Sequence, residues 1–358
     1  MIREQVPLAG YTTLGLGGPA ARFVAASTDD QVVAAVRAAA RRGDPVLILG
    51  GGSNLVIADA GFPGTVIQVA TRGISATPGG SRASVTVAAG EDWDRVVRWS
   101  IAAGLSGLEC LSGIPGQAGA TPIQNVGAYG QEVGELITAV RAYDRDRGTL
   151  TELTRQDCGF GYRTSAFKHA MAGRFVILGV TFQLQRDPRS APVRYPELAR
   201  VLGVAEGGSV PLASARAAVL RLRRGKGMVL DPADPDTRSA GSFFTNPVLG
   251  PAQVAALESA VAAGCPAGTQ VPRFPAGPGQ VKVPAAWLIE HAGFGKGYPA
   301  PRGGAGPRIS AKHTLALVNP GGATTASLLA LATEIRDGVR AAFGVELTAE
   351  PVLVGAAL

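Results

Sequence analysis

The 358-residue sequence predicts a protein of mixed helices and strands, of the α/β or α+β class. Short strand patterns and amphipathic helix patterns are interspersed along the first half of the chain. A glycine run follows one of these strands, which is where α/β folds bind ligands. Segments rich in Pro, Gly or charged residues interrupt the helix and strand patterns, and one of them begins at Asp231. From about Asp231 onward the sequence therefore predicts a second, smaller unit.

Each predicted element has its own local signal. A helix over 28–41 begins at a Thr or Asp cap and ends before Gly43, and a second helix, capped by Asp92, runs to 103 and stops at Gly104. Apolar residues or alternation predict strands at 22–26, 46–49, 65–69, 83–88 and 175–185. The second unit contains helix patterns at 251–263 and 324–343.

The charge composition indicates which kind of ligand the protein binds. Charged residues make up 17% of the chain, so the net charge of +7 reflects scarce acids rather than a dense basic tract. The local basic cluster consists of Arg216, Arg221, Arg223, Arg224 and Lys226. Such a cluster suits nucleic acid or small phosphorylated ligands, and the few aromatic residues favour the second.

The same sequence predicts a cytoplasmic protein that contacts no membrane. No apolar run approaches the roughly 20 residues of a membrane span, and the first residues carry no signal-peptide pattern. Three cysteines, odd in number and far apart, are typical of a reducing compartment. The three histidines, His169, His291 and His313, share no ligand spacing, so we predict no metal site.

The segment between Cys110 and Gln131 is uncharged and rich in Gly and Pro, yet it carries Gln124, Asn125 and Tyr129. Glycine leaves backbone N–H groups bare, so an ordered loop of this kind can wrap a large anionic cofactor. A tight structural crossover is the alternative. A second glycine loop, Gly50-Gly51-Gly52-Ser53-Asn54, could be a hairpin by itself. Two such loops in one chain favour a dinucleotide.

A dinucleotide fingerprint near the N-terminus is misleading. Residues 15–20 match G-x-G-x-x-A, but that motif requires a strand before it and a helix after it. Here a strand pattern follows, so a Rossmann fold is rejected. Two further clusters, 160–168 and 241–247, combine cations or a serine with aromatic residues. An arginine in the first could bind a carboxylate and the serine in the second could donate a proton, although ordinary structural roles are the alternative.

Taken in order over nearly the whole chain, these segments resemble the UDP-N-acetylenolpyruvoylglucosamine reductase family. The motifs that carry the resemblance are Gly50–Asn54, Gly113–Gly116, Gln124–Gly130, Gly161–Lys168, Gly241–Pro247 and Leu347–Glu350. The resemblance implies a two-subdomain FAD-binding fold of the vanillyl-alcohol-oxidase/p-cresol-methylhydroxylase type plus a smaller α+β substrate domain. The implied boundaries are 1–75 and 76–230 for the FAD-binding subdomains, with a substrate-lid loop at 186–206, and 231–358 for the substrate domain, whose last residues can return to the FAD domain.

The resemblance also implies an activity. NADPH reduces a non-covalently bound FAD, which then reduces the enolpyruvyl group of UDP-N-acetylglucosamine enolpyruvate to UDP-N-acetylmuramate for peptidoglycan synthesis. The partners are therefore a UDP-sugar and NADPH, with no nucleic acid and no membrane, and the family implies a monomer. Another flavoprotein oxidase on the same fold is the alternative.

The family's site residues carry over onto this sequence as follows. The implied catalytic residues are Arg163, which holds the substrate carboxylate, Ser242, which donates a proton, and Glu350, which orients Arg163 or polarises the carboxylate. The implied FAD-binding residues are Gly50, Gly51, Gly52, Ser53, Asn54, Ser112, Gly113, Ile114, Pro115, Gly116, Gln124, Asn125, Gly127, Ala128, Tyr129 and Arg223. The implied substrate-binding residues are Tyr162, Tyr195, Lys226, Asn246 and Lys282, with Tyr195 on the lid of the longer subclass.

Two positions depart from the family pattern. Pro351 follows Glu350, which drives the glutamate towards an extended conformation and suits the end of a strand. Gly227-Met228 follows Lys226 where the family has Leu-Pro, so the local conformation of Lys226 is open.

Overall fold

The computed structural model describes residues 2–299 and 306–358, which form two compact units. The first unit comprises the chain up to Val6, Ala20–Gly52 and Pro63–Val229, and the second comprises Pro7–Pro19, Ser53–Phe62 and Leu230–Leu358. The strands are β1 Ile2–Pro7, β2 Pro19–Ala26, β3 Val46–Leu49, β4 Leu55–Ile57, β5 Phe62–Val69, β6 Ile74–Gly79, β7 Arg82–Ala88, β8 Leu105–Ser106, β9 Gly127–Ala128, β10 Gln131–Glu132, β11 Ile137–Asp144, β12 Thr149–Thr154, β13 Phe175–Arg186, β14 Ser239–Ser242, β15 Val248–Leu249, β16 Phe274–Pro275, β17 Val281–Lys282, β18 Arg308–Ile309, β19 Ala316–Val318 and β20 Val352–Val354. The α-helices are α1 Asp29–Arg42, α2 Trp93–Ala102, α3 Pro196–Leu202, α4 Leu212–Gly225, α5 Pro251–Gly264, α6 Ala285–His291 and α7 Thr325–Phe343.

The first unit is built on two sheets. One has the strand order β1-β2-β5-β3, with β3 parallel to β5, and the other has the order β12-β11-β13-β7-β6, with β8 also antiparallel to β13. Buried apolar side chains form a continuous core here, with the rings of Trp93 and Phe182 at 5.8 Å. The glycine loops of interest follow β3 and lie between β8 and β11.

Helix caps occur where the sequence predicts them. Thr28 accepts a hydrogen bond from the Gln31 N–H at the start of α1, which ends at Gly43 in the left-handed conformation. Asp92 accepts from the Arg95 N–H at the start of α2. Because polar caps fix where backbone hydrogen bonding begins, these helix starts are predicted well.

The second unit contains smaller sheets and a separate core. The strand orders are β14-β19-β18 and β15-β17-β16, and β20 lies parallel to β4. The helix α7 buries Leu328, Leu331, Ile335 and Val339 as its apolar spacing predicts. Ala342, which the same spacing placed on the buried face, is exposed.

The structure differs from the sequence prediction in three places. Residues 7–19 and 53–62, predicted within a subdomain spanning 1–75, belong to the second unit. The predicted lid loop at 186–206 contains the helix α3, which Pro196 begins and Gly203 ends. The helix α4 was not predicted, because its arginines were read only as a charge cluster. In the part of the chain that the structure describes, no helix is both long and apolar enough to cross a membrane.

Candidate active site

The two predicted glycine loops approach each other within the first unit. A Cβ atom on Gly51 would lie 2.7 Å from the Gly116 Cα, and one on Gly50 would lie 3.2 Å from Gln117 Oε1. Gly51 therefore depends on the missing side chain, whereas at Gly50 the Gln117 side chain would have to move slightly. Ser53 and Asn54, predicted as part of the first loop, belong to the second unit.

Side chains from two helices hold the loop around Gly113. The Gly113 N–H donates to Asp94 Oδ1 at 2.6 Å, and Arg216 of α4 pairs with both carboxylate oxygens of Asp94 at 2.7 Å. Burial raises the pKa of Asp94, but these hydrogen bonds outweigh it, so the pKa lies below its usual value. Leu220 packs under Gly113, where any side chain would clash with it at 2.7 Å.

Arg223 is the buried cation of α4, with 8% of its surface exposed. Its Nη2 donates to the Met228 carbonyl at 2.8 Å, and its Nε has no hydrogen-bond partner among the described residues. Burial lowers its pKa to about 10, so the guanidinium remains charged at neutral pH. The Nε lies 3.6 Å from the position that a Cβ on Gly113 would take. The guanidinium therefore packs against the loop at Gly113.

The second half of the loop contains two residues in the left-handed conformation, Asn125 (φ 48°) and Tyr129 (φ 50°). The Asn125 amide accepts from the Gly134 N–H at 2.8 Å and donates to Glu132 at 2.7 Å. It also donates to the Gly161 carbonyl at 3.0 Å, which joins this loop to the next predicted cluster. Strained backbone held by specific hydrogen bonds is typical of functional loops.

Arg163 lies at the centre of that cluster and is also left-handed, with φ 53°. Its Nη2 donates to the Gly127 carbonyl at 2.7 Å, and its guanidinium carbon lies 5.5 Å from the centroid of the Tyr162 ring. The structure therefore brings Arg163, Tyr162 and the Gly127–Ala128 strand together within the first unit.

The predicted lid residue Tyr195 precedes α3 and is 39% exposed. Its ring meets Tyr129 edge to face, with centroids 5.4 Å apart. Burial raises the pKa of Tyr129 to about 12, so its phenol is protonated at neutral pH. In the first turn of α3, Glu197 accepts a hydrogen bond from Lys226 Nζ at 2.8 Å. Gly227, which stands after Lys226 where the family pattern has Leu, adopts the left-handed conformation with φ 65°. This is the local conformation that the sequence did not define.

Within the second unit, backbone hydrogen bonds bring Ser242 and Glu350 into neighbouring segments. The Glu350 N–H donates to the Phe243 carbonyl at 2.9 Å, and the Thr245 N–H donates to the Thr348 carbonyl at 3.0 Å. Phe243 and Phe244 are 1% exposed and anchor the segment in the core. Pro351 is accommodated, because the next amide, that of Val352, donates to the Asn54 carbonyl at 2.9 Å.

Asn246 and Lys282 also lie close together in the second unit. Asn246 Oδ1 accepts from the Ala285 N–H at 2.9 Å at the start of α6. Lys282 of β17 pairs with Val248 of β15, and Val248 is two residues beyond Asn246 in the sequence. Lys282 therefore lies in this small sheet, and Asn246 lies just before β15 and is hydrogen-bonded to the start of α6.

Sequence reasoning missed the side chains that hold these loops. Besides Asp94 and Arg216, Glu109 is fully buried and accepts from Gln131 Nε2 at 3.0 Å and from the Ala191 N–H at 2.7 Å. Glu109 stands next to the glycine loop in the sequence, which could have indicated its role. Its hydrogen-bond partners, however, are distant along the chain. Arg163 lies in the first unit, whereas Ser242 and Glu350 lie in the second.

Comparison with known proteins gives these features a class. A family model described as an FAD binding domain matches residues 20–154, and a model described as the C-terminal domain of UDP-N-acetylenolpyruvoylglucosamine reductase matches residues 232–354. The chain is therefore an FAD-binding flavoprotein with a second α+β domain, as predicted.

Full-length relatives narrow this class to one family. UDP-N-acetylenolpyruvoylglucosamine reductase of Thermobifida fusca (strain YX) is 56% identical over 99% of this chain and 98% of its own length. The Streptomyces coelicolor protein of that name is 57% identical over 99% of this chain and 91% of its own length. The solved reductase from Thermus caldophilus is 25% identical, with a TM-score of 0.61 over 99% of this chain and 100% of its own. The chain belongs to the UDP-N-acetylenolpyruvoylglucosamine reductase family.

Two features of the first unit fit a bound dinucleotide. Gly51 and Gly116 approach each other closely and carry no side chains that would shield their backbone N–H groups, which suits a pyrophosphate. The Gln117 Oε1 beside Gly50 and the Arg223 Nε behind Gly113 are buried polar atoms without a partner among the described residues. Buried polar atoms usually have hydrogen-bond partners, so both point to a ligand that supplies them.

Proposed function

We propose that this chain reduces the enolpyruvyl group of UDP-N-acetylglucosamine enolpyruvate to UDP-N-acetylmuramate, the reaction of its family, with NADPH as the reductant. The single observation that supports this most strongly is the backbone pairing of the Ser242 segment with the Glu350 segment. It brings a hydroxyl and a carboxyl group from distant parts of the sequence into one part of the second unit.

FAD, when bound, would supply the hydride-transfer chemistry that links NADPH oxidation to reduction of the substrate alkene. We propose that Gly50–Gly52, Ser112–Gly116 and the Gln124–Tyr129 segment hold it, with Arg223 supplying positive charge. Asp94 and Arg216 already hold the loop at Gly113, so its position is set by the protein's own contacts.

The proposed roles of the side chains follow from the charge that develops on the substrate. Hydride addition to the terminal alkene carbon leaves negative charge on the neighbouring carbon and its carboxylate. Arg163, held in place through Gly127, is proposed to bind that carboxylate and stabilise the charge. Ser242 is proposed to donate the proton to the carbon, and Glu350 to orient Arg163 or polarise the carboxylate.

Five residues are proposed to bind the substrate. Lys226, Asn246 and Lys282 are proposed to contact the uridine diphosphate, with Tyr195 covering it and Tyr162 beside Arg163. The ion pair between Lys226 and Glu197 means that a diphosphate would compete with this carboxylate for the lysine. We also infer a cytoplasmic protein, since the free cysteines suit a reducing compartment. The monomeric state is proposed from the family resemblance alone.

The test separates the two half-reactions by stopped-flow absorbance of the flavin. Ser242→Ala should leave flavin reduction by NADPH intact and slow flavin reoxidation by the enolpyruvyl substrate by about 10²–10⁴-fold, the usual contribution of a general acid. Ser259→Ala, which removes an exposed serine hydroxyl on α5, is the matched control and should change neither step. Equal slowing of both steps by Ser242→Ala would contradict the assignment.

A second measurement separates this function from the oxidase alternative. NADPH consumption should depend on the enolpyruvyl substrate, and reduced enzyme without it should be reoxidised slowly by oxygen. Rapid oxygen consumption without that substrate would support an oxidase instead.

A further inference from the structure

A cavity of about 650 Å³ opens on the first unit, and it shares no lining residue with the glycine loops or with the Arg163 turn. Its walls come from the second half of α1, the turn between β11 and β12, and the segment before β13. Its volume falls within the range of small-molecule pockets, about 300–1,000 Å³. The proposed function does not use this cavity.

Positive charge dominates the cavity. Four arginines and one aspartate line it, which leaves a net charge of +3, and the charged residues are Arg37, Arg41, Arg145, Arg174 and Asp146. Arg174 pairs with Asp144 at 2.6 Å. Within residues 2–299 and 306–358, the other three arginines have no carboxylate within 4.0 Å. Asp144 and Asp146 both pair with Arg174, so among the described residues the charges of the other three arginines have no counter-ion of their own and favour an anion in the cavity.

Two of these arginines are already held in position. Arg37 donates from Nε to the Tyr143 phenol at 3.1 Å and from Nη2 to the Gly148 carbonyl at 2.8 Å. Arg145 donates from Nη1 to the Gly173 carbonyl at 2.7 Å. A guanidinium has five N–H donors, so each keeps others for a ligand. Because these side chains are already ordered, a ligand meets a lower entropic cost.

Arg41 completes the set from the same helix as Arg37. It lies four residues further along α1, and residues spaced in this way share one side of a helix. It is exposed and makes no hydrogen bond or ion pair among the described residues. Its guanidinium is therefore available to bind a ligand.

We propose that this cavity is a second anion site, which binds a diphosphate group, either free or as part of a nucleotide. Guanidinium forks match phosphate oxygens bidentately. A single carboxylate would leave most of the excess positive charge uncompensated, whereas a diphosphate is multivalent and can engage arginines from all three walls at once.

The test is isothermal titration calorimetry of the FAD-loaded protein with inorganic pyrophosphate and, separately, with ADP. Both should bind saturably, and Arg41→Ala and Arg145→Ala should each weaken binding about tenfold, the loss expected for one charge-assisted contact. Arg340→Ala, which removes a 58% exposed arginine on α7, is the charge-matched control and should leave binding unchanged. Equal affinities would show that the diphosphate alone is recognised, and tighter ADP binding would show that a nucleotide is.

Repeating the titrations with Lys226→Ala, which alters the proposed substrate site but does not line this cavity, separates the two sites: binding at the cavity should be unchanged. Absence of saturable binding, or an equal loss in Arg340→Ala, would overturn the proposal. So would an Arg41→Ala variant with a lower melting temperature but unchanged affinity, since Arg41 would then serve only the carboxyl end of α1. Displacement of pyrophosphate by a single-stranded oligonucleotide at lower concentration would reassign the cavity to nucleic acid.

Discussion

The two units hold their site residues by different means. In the first unit, the loop from Ser112 to Gln131 is held by backbone hydrogen bonds and, in addition, by specific side chains, among them Asp94, Asn125 and Glu109. In the second unit, the segments of Ser242 and Glu350 are fixed by backbone hydrogen bonds to each other. Backbone pairing needs no particular side chain, so the first arrangement depends on single residues and the second tolerates their replacement.

Asp94 provides the strongest test of this difference. Asp94→Ala leaves the Gly113 N–H unsatisfied and Arg216, only 15% exposed, without its carboxylate. We expect a loss of about 2–3 kcal/mol in the free energy of unfolding, measured with urea, together with weaker FAD binding. Asp337→Ala removes a 42% exposed ion-pair partner and should cost under about 1 kcal/mol. Similar losses in the two variants would contradict the assigned role.

The pH dependence of the same group has a definite sign. Burial opposes ionisation, but the hydrogen bonds from Arg216 and Gly113 hold the pKa of Asp94 below its usual value in the folded protein, so its stabilising contribution is present above the ordinary aspartate pKa. The contribution is lost as the pH falls through the folded pKa. Flavin fluorescence should therefore rise with acidification in this window, and Asp94→Asn should flatten that part of the profile.

Gly51 tests the contact between the two glycine loops. The Cβ atom in Gly51→Ala would lie 2.7 Å from the Gly116 Cα, so one loop must move. We expect a cost of about 2 kcal/mol, seen as roughly thirtyfold weaker FAD binding in fluorescence titration. Gly264→Ala adds a methyl group where nothing lies within 4 Å and should leave FAD affinity unchanged.

Asn125 separates backbone strain from side-chain bonding. Asn125→Ala and Asn125→Gly both lose the amide hydrogen bonds, but only glycine adopts φ 48° without strain. The glycine variant should therefore be more stable than the alanine variant by about 1 kcal/mol in denaturant unfolding. Equal stability would show that the left-handed conformation relaxes when the amide is removed.

Thr245 gives the smallest expected effect and completes the comparison. Its N–H pairs with the Thr348 carbonyl, while its hydroxyl makes only a long contact of 3.4 Å. Thr245→Ala keeps the backbone bond and should change the free energy of unfolding by under about 0.5 kcal/mol. A loss above about 1 kcal/mol would show that side chains also hold this segment.

Local chemistry made much of the fold predictable. Thr28, Asp92 and Thr324 cap helices where polar residues precede apolar periodicity. The helix α4 was missed because it begins after Pro211 without a side-chain cap, and its charges hid its buried face. Arg223 shows the difficulty, since burial of an arginine depends on tertiary packing and leaves no local signature.

The sequence predicted which residues belong to the candidate site, but it did not predict the side chains that hold those residues in place. Family motifs pointed to Arg163, Ser242 and Glu350, whose roles stay predictions. The pairing of Asp94 with Arg216 spans 122 residues, and no spacing rule relates residues that far apart. Likewise, Ser53 and Asn54 continue a glycine motif in sequence, but β4 takes them into the second unit.

The pairing of β4 with β20 has a consequence for the order of synthesis. Asn54 and Glu350 are 296 residues apart, yet their segments are hydrogen-bonded. During synthesis on the ribosome, β4 has no pairing partner until the chain between β4 and β20 has been translated. Contacts of such long range form late and leave a strand edge open to wrong pairing in the meantime. The nascent chain therefore completes the environment of Glu350 among its last folding events.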